Sequence, residues 1–170
     1  VVNGTAFPTL TVEPRAYRFR ILNAASDRFQ NLSFYVADST PGNTSPDPRV
    51  LSPLTEVKMV PASAVTAAEN NWPADWPVDG RDGGVPDPAL QGPSFIQIGT
   101  EGGFLPAPVV RAPQPVTYIT DPTAFWVGIV DKTGLALGPA ERADTIVDFS
   151  LYAGKTLILG MEEFLAAAKE

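Results

Sequence analysis

Two residue types are missing from this 170-residue chain: cysteine and histidine. Without cysteine no disulfide can form, and cysteine usage says nothing about redox compartment. Without either residue, a zinc site of the usual kind is excluded. So is any copper site that needs imidazole or thiolate. Catalytic triads built on histidine or on a cysteine nucleophile are excluded too. Positive charge is sparse as well. The net charge is −7, and the lysines and arginines are scattered without forming a stripe. Nucleic acid is therefore a disfavoured partner, because a phosphate backbone demands clustered cations. An anionic membrane surface is disfavoured for the same reason. No apolar run approaches the roughly 18 residues of a membrane-spanning helix, and no signal-peptide pattern opens the chain.

What is present describes a folded domain. Apolar residues make up 44% of the chain and charged residues 18%, which fits a globular protein. The length suits one domain with a proper core. The first residue is Val1, not an initiator methionine, and a strand-like pattern begins almost at once. The expectation is a piece of a longer polypeptide.

The chain holds 18 prolines and 14 glycines, clustered between short runs of Val, Ile, Phe, Tyr and Thr. That is the punctuation of an all-β protein. Strands are predicted at Thr9–Val12, Tyr17–Asn23, Leu32–Val36, Glu56–Val60, Ser94–Ile98, Pro115–Ile119, Phe125–Val130, Thr145–Phe149 and Thr156–Leu159. In "ADTIVDFS", Thr145, Val147 and Phe149 share one face, and Asp144, Ile146 and Asp148 the other. Short strands with long connections predict a Greek-key β-sandwich or barrel.

Two Pro/Gly-rich stretches, residues 38–53 and 70–93, read as long loops. Loops of this length in a compact domain are usually functional or form an interface. Trp72 and Trp76 lie in the second. Each indole needs a surface to cover it, either on this domain or on a neighbour. Residues 1–159 form the predicted domain. Residues 160–170, "GMEEFLAAAKE", read as a short C-terminal helix, with Met161, Phe164, Leu165 and Ala168 on one face. The tail could equally be a linker or a cloning remnant.

No acid–base pair stands out. Asp144 and Asp148 sit four residues apart on one strand, roughly 13 Å at about 3.3 Å per residue, too far to share a proton. The loop "DGRDGGVPDP" has carboxylates, but not the alternation and terminal glutamate of an EF-hand. "IGTEGGF" (98–104) is not a phosphate-binding fingerprint, and no helix follows it. Gly99, Gly102 and Gly103 there suit a tight turn or close packing. A serine nucleophile would need a lysine base, yet Lys58, Lys132, Lys155 and Lys169 fit no SxxK pattern. Sequons at Asn3, Asn31 and Asn43 permit glycosylation only in a eukaryotic secretory pathway. No catalytic residue and no metal ligand is assigned.

Four stretches carry a resemblance. They are "VNGTAFPTLTVEPRAYRFRILNAASDR" (2–28), "VPDPALQGPSFIQIGTEGGFLPAPV" (85–109), "LGPAERADTIVDFS" (137–150) and "YAGKTLIL" (152–159). In this order they resemble the middle cupredoxin-like domain of bacterial three-domain multicopper oxidases, the laccase-like enzymes related to spore-coat laccase, bilirubin oxidase and phenoxazinone synthase. The resemblance implies a Greek-key sandwich of cupredoxin type. It implies a parent that oxidises phenols, aromatic amines or metal ions while reducing O2 to water, often secreted, periplasmic or on a spore coat. It also implies copper bound by the flanking cupredoxin domains, on HxH and HCH motifs that this sequence does not contain. This chain would then bind no cofactor itself. Its partners would be those flanking domains, and in isolation it would be prone to self-association. The alternative from a different class is a free-standing β-sandwich that binds a protein or carbohydrate.

The arginines of "AYRFRILN" connect the two lines of reasoning. Alternation puts Arg18 and Arg20 on one strand face, where an unpaired charge is costly if covered. The "ERADTIVD" stretch supplies Glu141, Asp144 and Asp148, with Arg142 between them. The expectation is that Arg18 or Arg20 pairs with one of these carboxylates across adjacent strands.

Overall fold

The structure, a computed structural model, describes residues 2–6, 8–38, 57–60, 85–113 and 133–163. Nine strands lie among them: β1 (Ala16–Leu22), β2 (Gln30–Val36), β3 (Met59–Val60), β4 (Val85–Pro86), β5 (Phe95–Thr100), β6 (Gly103–Arg111), β7 (Leu135–Leu137), β8 (Arg142–Asp148) and β9 (Leu157–Glu163). They build a four-stranded sheet in the order β1-β8-β5-β6, a three-stranded sheet β7-β2-β9 and a small β3-β4 pair. Every pairing is antiparallel. β5 and β6 form a hairpin, the pairs β1–β8, β2–β7 and β2–β9 join strands distant in the chain, and the chain crosses repeatedly between the two larger sheets. This is an all-β sandwich, as the strand pattern predicts, and it is consistent with the cupredoxin type that the resemblance implies.

The alternation in β1 and β8 decides how the first sheet sits. In β8, Ala143, Thr145 and Val147 are buried, while Asp144 and Ile146 are partly covered from the other side. In β1, Tyr17, Phe19 and Ile21 turn toward the core and Arg18 and Arg20 turn away. β2 behaves differently. It is the middle strand of its sheet, and Asn31 through Tyr35 are all buried. Leu32 and Phe34 join the core, and Asn31, Ser33 and Tyr35 beside them are covered as well.

The core joins Leu32 and Phe34 of β2, Phe95 of β5, Leu135 and Leu137 of β7, Ala143 and Val147 of β8, and Phe149. Phe149 is its aromatic hub. Its ring meets Phe34 edge-on at 5.7 Å and Phe19 edge-on at 6.1 Å. Tyr17 also lies 6.1 Å away, and Phe34 in turn packs on Phe95 at 5.0 Å. Edge-on and tilted pairs of this kind add to the burial of the rings themselves.

Several predicted elements are corrected. Thr9–Val12 joins no ladder; Val12 instead packs against the core from an irregular segment. Of the predicted Glu56–Val60 strand the structure describes residues 57–60, and among these Met59–Val60 pairs. Within the predicted loop 70–93, Val85–Pro86 is a strand, and Pro88–Leu90 forms a single 3-10 turn. β6 and β7 were not anticipated. β6 carries Pro106 and Pro108, which normally demote a strand. Here they fall where the β5–β6 register slips, between the pairs Gln97↔Val109 and Gly99↔Phe104, on the sheet's outermost strand. Their missing N–H groups break no ladder bond there. The last strand does not stop at Leu159. It runs to Glu163 because β2 offers partners as far as Gln30, and this pairing overrides the helical preference of Met161 and the glutamates. The strand thus crosses the predicted boundary at 159. The predicted strands Pro115–Ile119 and Phe125–Val130 lie outside the described residues. So do residues 39–53 and 70–84, with Trp72 and Trp76, and the tail beyond Glu163.

Candidate functional site

The outer face of the four-stranded sheet gathers most of the charged candidates. Two rows cross it from strand to strand. One reads Arg18, Ile146, Ile96, Val110; the other reads Arg20, Asp144, Gly99, Phe104. Arg18 is directly opposite Ile146, yet its guanidinium reaches diagonally to Asp144. Arg18 Nε donates to Asp144 Oδ1 at 2.8 Å, and Nη2 donates to Oδ2, closing a bidentate fork. Arg20, directly opposite Asp144, reaches it only at 3.9 Å. The Arg18 hydrogen bonds, aided by the charges of Arg18 and Arg20 and opposed by partial desolvation, hold the Asp144 carboxyl below its usual range. The same hydrogen bond raises Arg18.

Gly99 gives this arrangement its room. A Cβ there would lie 2.9 Å from the Gly103 carbonyl oxygen and 3.2 Å from Asp144 Cβ. With no side chain between Asp144 and Phe104, the Arg18 guanidinium lies over the Phe104 ring, 5.8 Å from its centroid. Arginine thus has a carboxylate on one side and an aromatic face on the other, an attractive cation–π geometry.

The other sequence candidates do structural work around this face. Glu141 closes a turn, its Oε2 accepting from the Gly138 amide at 2.6 Å. Within that turn Ala140 takes φ 65, a left-handed conformation that costs alanine about 1–2 kcal/mol. It is held by a hydrogen bond from its amide to the Asn23 carbonyl at 2.9 Å. Arg142 pairs with Glu101 at 2.8 Å and also donates to the Glu101 carbonyl, tying β8 to the β5–β6 turn. Asp148 accepts from the Ser150 amide at 2.9 Å as the chain leaves β8. Glu141 and Asp148 are engaged with backbone amides, and among the described residues Asp144 is the carboxylate that meets both Arg18 and Arg20.

Two features escaped the sequence reading. Asn23 is completely buried. Its amide Nδ2 donates to the carbonyls of Arg28 at 2.7 Å and Leu137 at 3.1 Å, and its Oδ1 accepts from the Ala25 amide at 3.0 Å. The small residues after it in "LNAASDR" were the available signal, since an asparagine ending a strand often clamps the following turn. The second feature is an ion pair away from the sheet face. Lys58 lies 2.9 Å from Asp87, whose Oδ1 also accepts from the Ala89 amide at 2.9 Å. The Lys58 hydrogen bond, reinforced by the Ala89 amide, lowers the Asp87 carboxyl. Lys58 is raised in turn.

Comparison with known proteins gives the site its context. The chain is similar to laccases. It is 28% identical over 159 residues to the laccase of Bacillus subtilis strain 168, and 27% identical over 159 residues to that of Bacillus stratosphericus. It is also 28% identical over 159 residues to a laccase of Haloferax volcanii. Each alignment covers 94% of this chain and 16% of the laccase, so the chain spans only about a sixth of the relatives' length. No family model and no solved structure matches it.

Laccase likeness raises the question of copper, and the residues present do not fit it. Blue-copper centres take two imidazoles and a thiolate, and the whole sequence offers neither group. Among the described residues no three carboxylates converge into an alternative cage. The carboxylates near the sheet face are engaged with arginine or backbone amides, an arrangement that fixes strands and turns.

Proposed function

We propose that this chain is the middle cupredoxin-like domain of a three-domain, laccase-like multicopper oxidase, and that it holds no copper. Its role is architectural: it sets the spacing of the two domains that carry the metal and lines part of the surface by which substrate approaches. The parent would oxidise phenols, aromatic amines or metal ions with reduction of O2 to water. The chain alone would not be catalytic. One observation carries this reading. A sequence aligned with laccases over 94% of its length contains no residue of the two types that bind laccase-type copper. The long loops at 38–53 and 70–93, with Trp72 and Trp76, are the proposed interdomain contacts. Sequencing the coding region on both sides tests the reading. It expects an HxH motif upstream and an HCH motif downstream in one open reading frame. A frame containing neither overturns it, in favour of a free-standing binding module.

A further inference from the structure

We propose that Asn3 is a self-modification site: its carboxamide is lost through a cyclic imide formed with the Gly4 amide nitrogen, leaving isoaspartate and aspartate at this position. Asn3 and Gly4 are the two central residues of a tight turn. It is closed by reciprocal bonds, from the Val2 amide to the Thr5 carbonyl and from the Thr5 amide to the Val2 carbonyl, each 2.9 Å. Their φ values, 48 and 83, are both positive, which is the mark of a type I′ turn and the reason it takes an Asn-Gly pair. Both residues are exposed. Among the described residues, a Cβ on Gly4 would meet nothing within 4 Å, and no backbone group accepts from the Gly4 N–H. That nitrogen is therefore approachable, unhindered by a side chain and free to give up its proton.

The chemistry balances with water alone. Gly4 N attacks Asn3 Cγ, the new N–Cγ bond forms, the Cγ–Nδ2 bond breaks, and ammonia leaves with the Gly4 amide proton. Water then opens the imide. Opening at Cγ gives aspartate, and opening at the main-chain carbonyl carbon gives isoaspartate. Nothing is oxidised or reduced. No other asparagine offers these conditions, because Asn3 alone precedes a glycine. Asn23 is completely buried with its amide hydrogen-bonded, and Asn31 is buried with its Oδ1 held by the Gly134 amide. Asn43, Asn70 and Asn71 precede Thr44, Asn71 and Trp72.

The turn sets the pace. A type I′ turn holds its first central residue at ψ of about +30°, which points the Gly4 nitrogen away from the Asn3 side chain. Cyclisation requires that angle to rotate, so the turn opens first. Among the described residues two backbone bonds hold it, in a bridge outside every sheet. Such a bridge near a chain end opens without the core.

Peptide mapping by mass spectrometry tests this on the chain held at pH 8, folded and in urea. In the folded chain Asn3 is expected to convert many-fold faster than Asn23 and Asn31, to two products of equal mass and different retention. In urea its conversion should speed up several-fold. Gly4→Ala, compared in urea where the turn plays no part, should slow it several-fold. An Asn3 that stays intact in the folded chain while the urea sample converts overturns the proposal. A single aspartate product, or Gly4→Ala converting at the wild-type rate in urea, overturns the imide route. A folded rate equal to that in urea overturns the control by the turn.

Discussion

Replacing Asn23 with alanine removes a side chain that cannot be compensated from within the fold. The amide is fully buried and makes three hydrogen bonds, two donated to the carbonyls of Arg28 and Leu137 and one accepted from the Ala25 amide. Alanine takes one hydrogen bond from each of the three backbone partners, and a buried group left unsatisfied costs about 1–3 kcal/mol when it stays dry. Water entering the vacated space recovers part of this, so the expected loss is about 3 kcal/mol. A loss of that size lowers the melting midpoint of a domain this long by roughly 6–12 °C. Urea unfolding followed by circular dichroism reads the change as a shift in midpoint at constant slope. Asparagine 23 to aspartate is the sharper variant. It keeps the acceptor for Ala25 but sets a carboxylate against two carbonyl oxygens, which raises its pKa in the folded state. A group raised by folding stabilises fully below its unfolded pKa and loses that contribution as pH rises. Asn23→Asp should therefore lie closer to wild type at pH 4.5 than at pH 8. Asn23→Ala within about 0.5 kcal/mol of wild type, the range of an ordinary surface change, would refute the clamp. A pH-independent Asn23→Asp deficit would refute the geometry of its two donors.

Acid stability follows from two other carboxylates. Asp144 and Asp87 are both lowered below their ordinary value of 3.8, by hydrogen bonds from Arg18 and from Lys58 with Ala89. Groups lowered by folding contribute stability above the unfolded pKa and lose it as pH falls through the folded one, so this contribution should fade below about pH 4. Asp144→Asn should flatten that part of an acid titration, and an unchanged acid limb would contradict the pairing. Gly134→Ala should destabilise by about 1–3 kcal/mol in urea, because its Cβ would stand 2.6 Å from Ser33 Oγ and 2.7 Å from the Leu32 carbonyl oxygen. Leu135, 1% exposed in the core, should lose about 2–5 kcal/mol on truncation to alanine. By contrast, Leu151→Ala, at a position 90% exposed, should stay within about 0.5 kcal/mol of wild type. Equal effects at the two leucines would contradict the placement of the core.

The parts of the fold legible in the sequence were those governed by alternation. "AYRFRIL" and "ADTIVD" each place their charges on one face, and the structure sets those faces side by side on neighbouring strands. Alternation cannot supply register, which is why Glu141, Asp144 and Asp148 were equivalent partners until the pairing Arg20↔Asp144 was seen. β6 was hidden by Pro106 and Pro108, because prolines forbid a central strand but not a slipped outermost one. β7 was hidden by its length of three residues, its place being set by β2 and not by local propensity. The described start of the tail, residues 160–163, shows the reverse conflict. "GMEE" favours a helix locally, but a free stretch of β2 recruits it into a sheet. Asn23 was missed because its value lies in partners on the far sides of two turns. Phe104 was missed because nothing local in "TEGGF" marks it, and only the sheet rows show that it ends the row of Asp144 and Gly99, with the Arg18 guanidinium over its ring.

The central claim is that a laccase-like chain without histidine or cysteine carries structure and not copper. The direct measurement is metal content by mass spectrometry after incubation of the chain with Cu(II) and removal of loose ions by a chelator. The account predicts copper far below one equivalent per chain, with no intense blue thiolate absorption. One equivalent of copper that survives the chelator would contradict it.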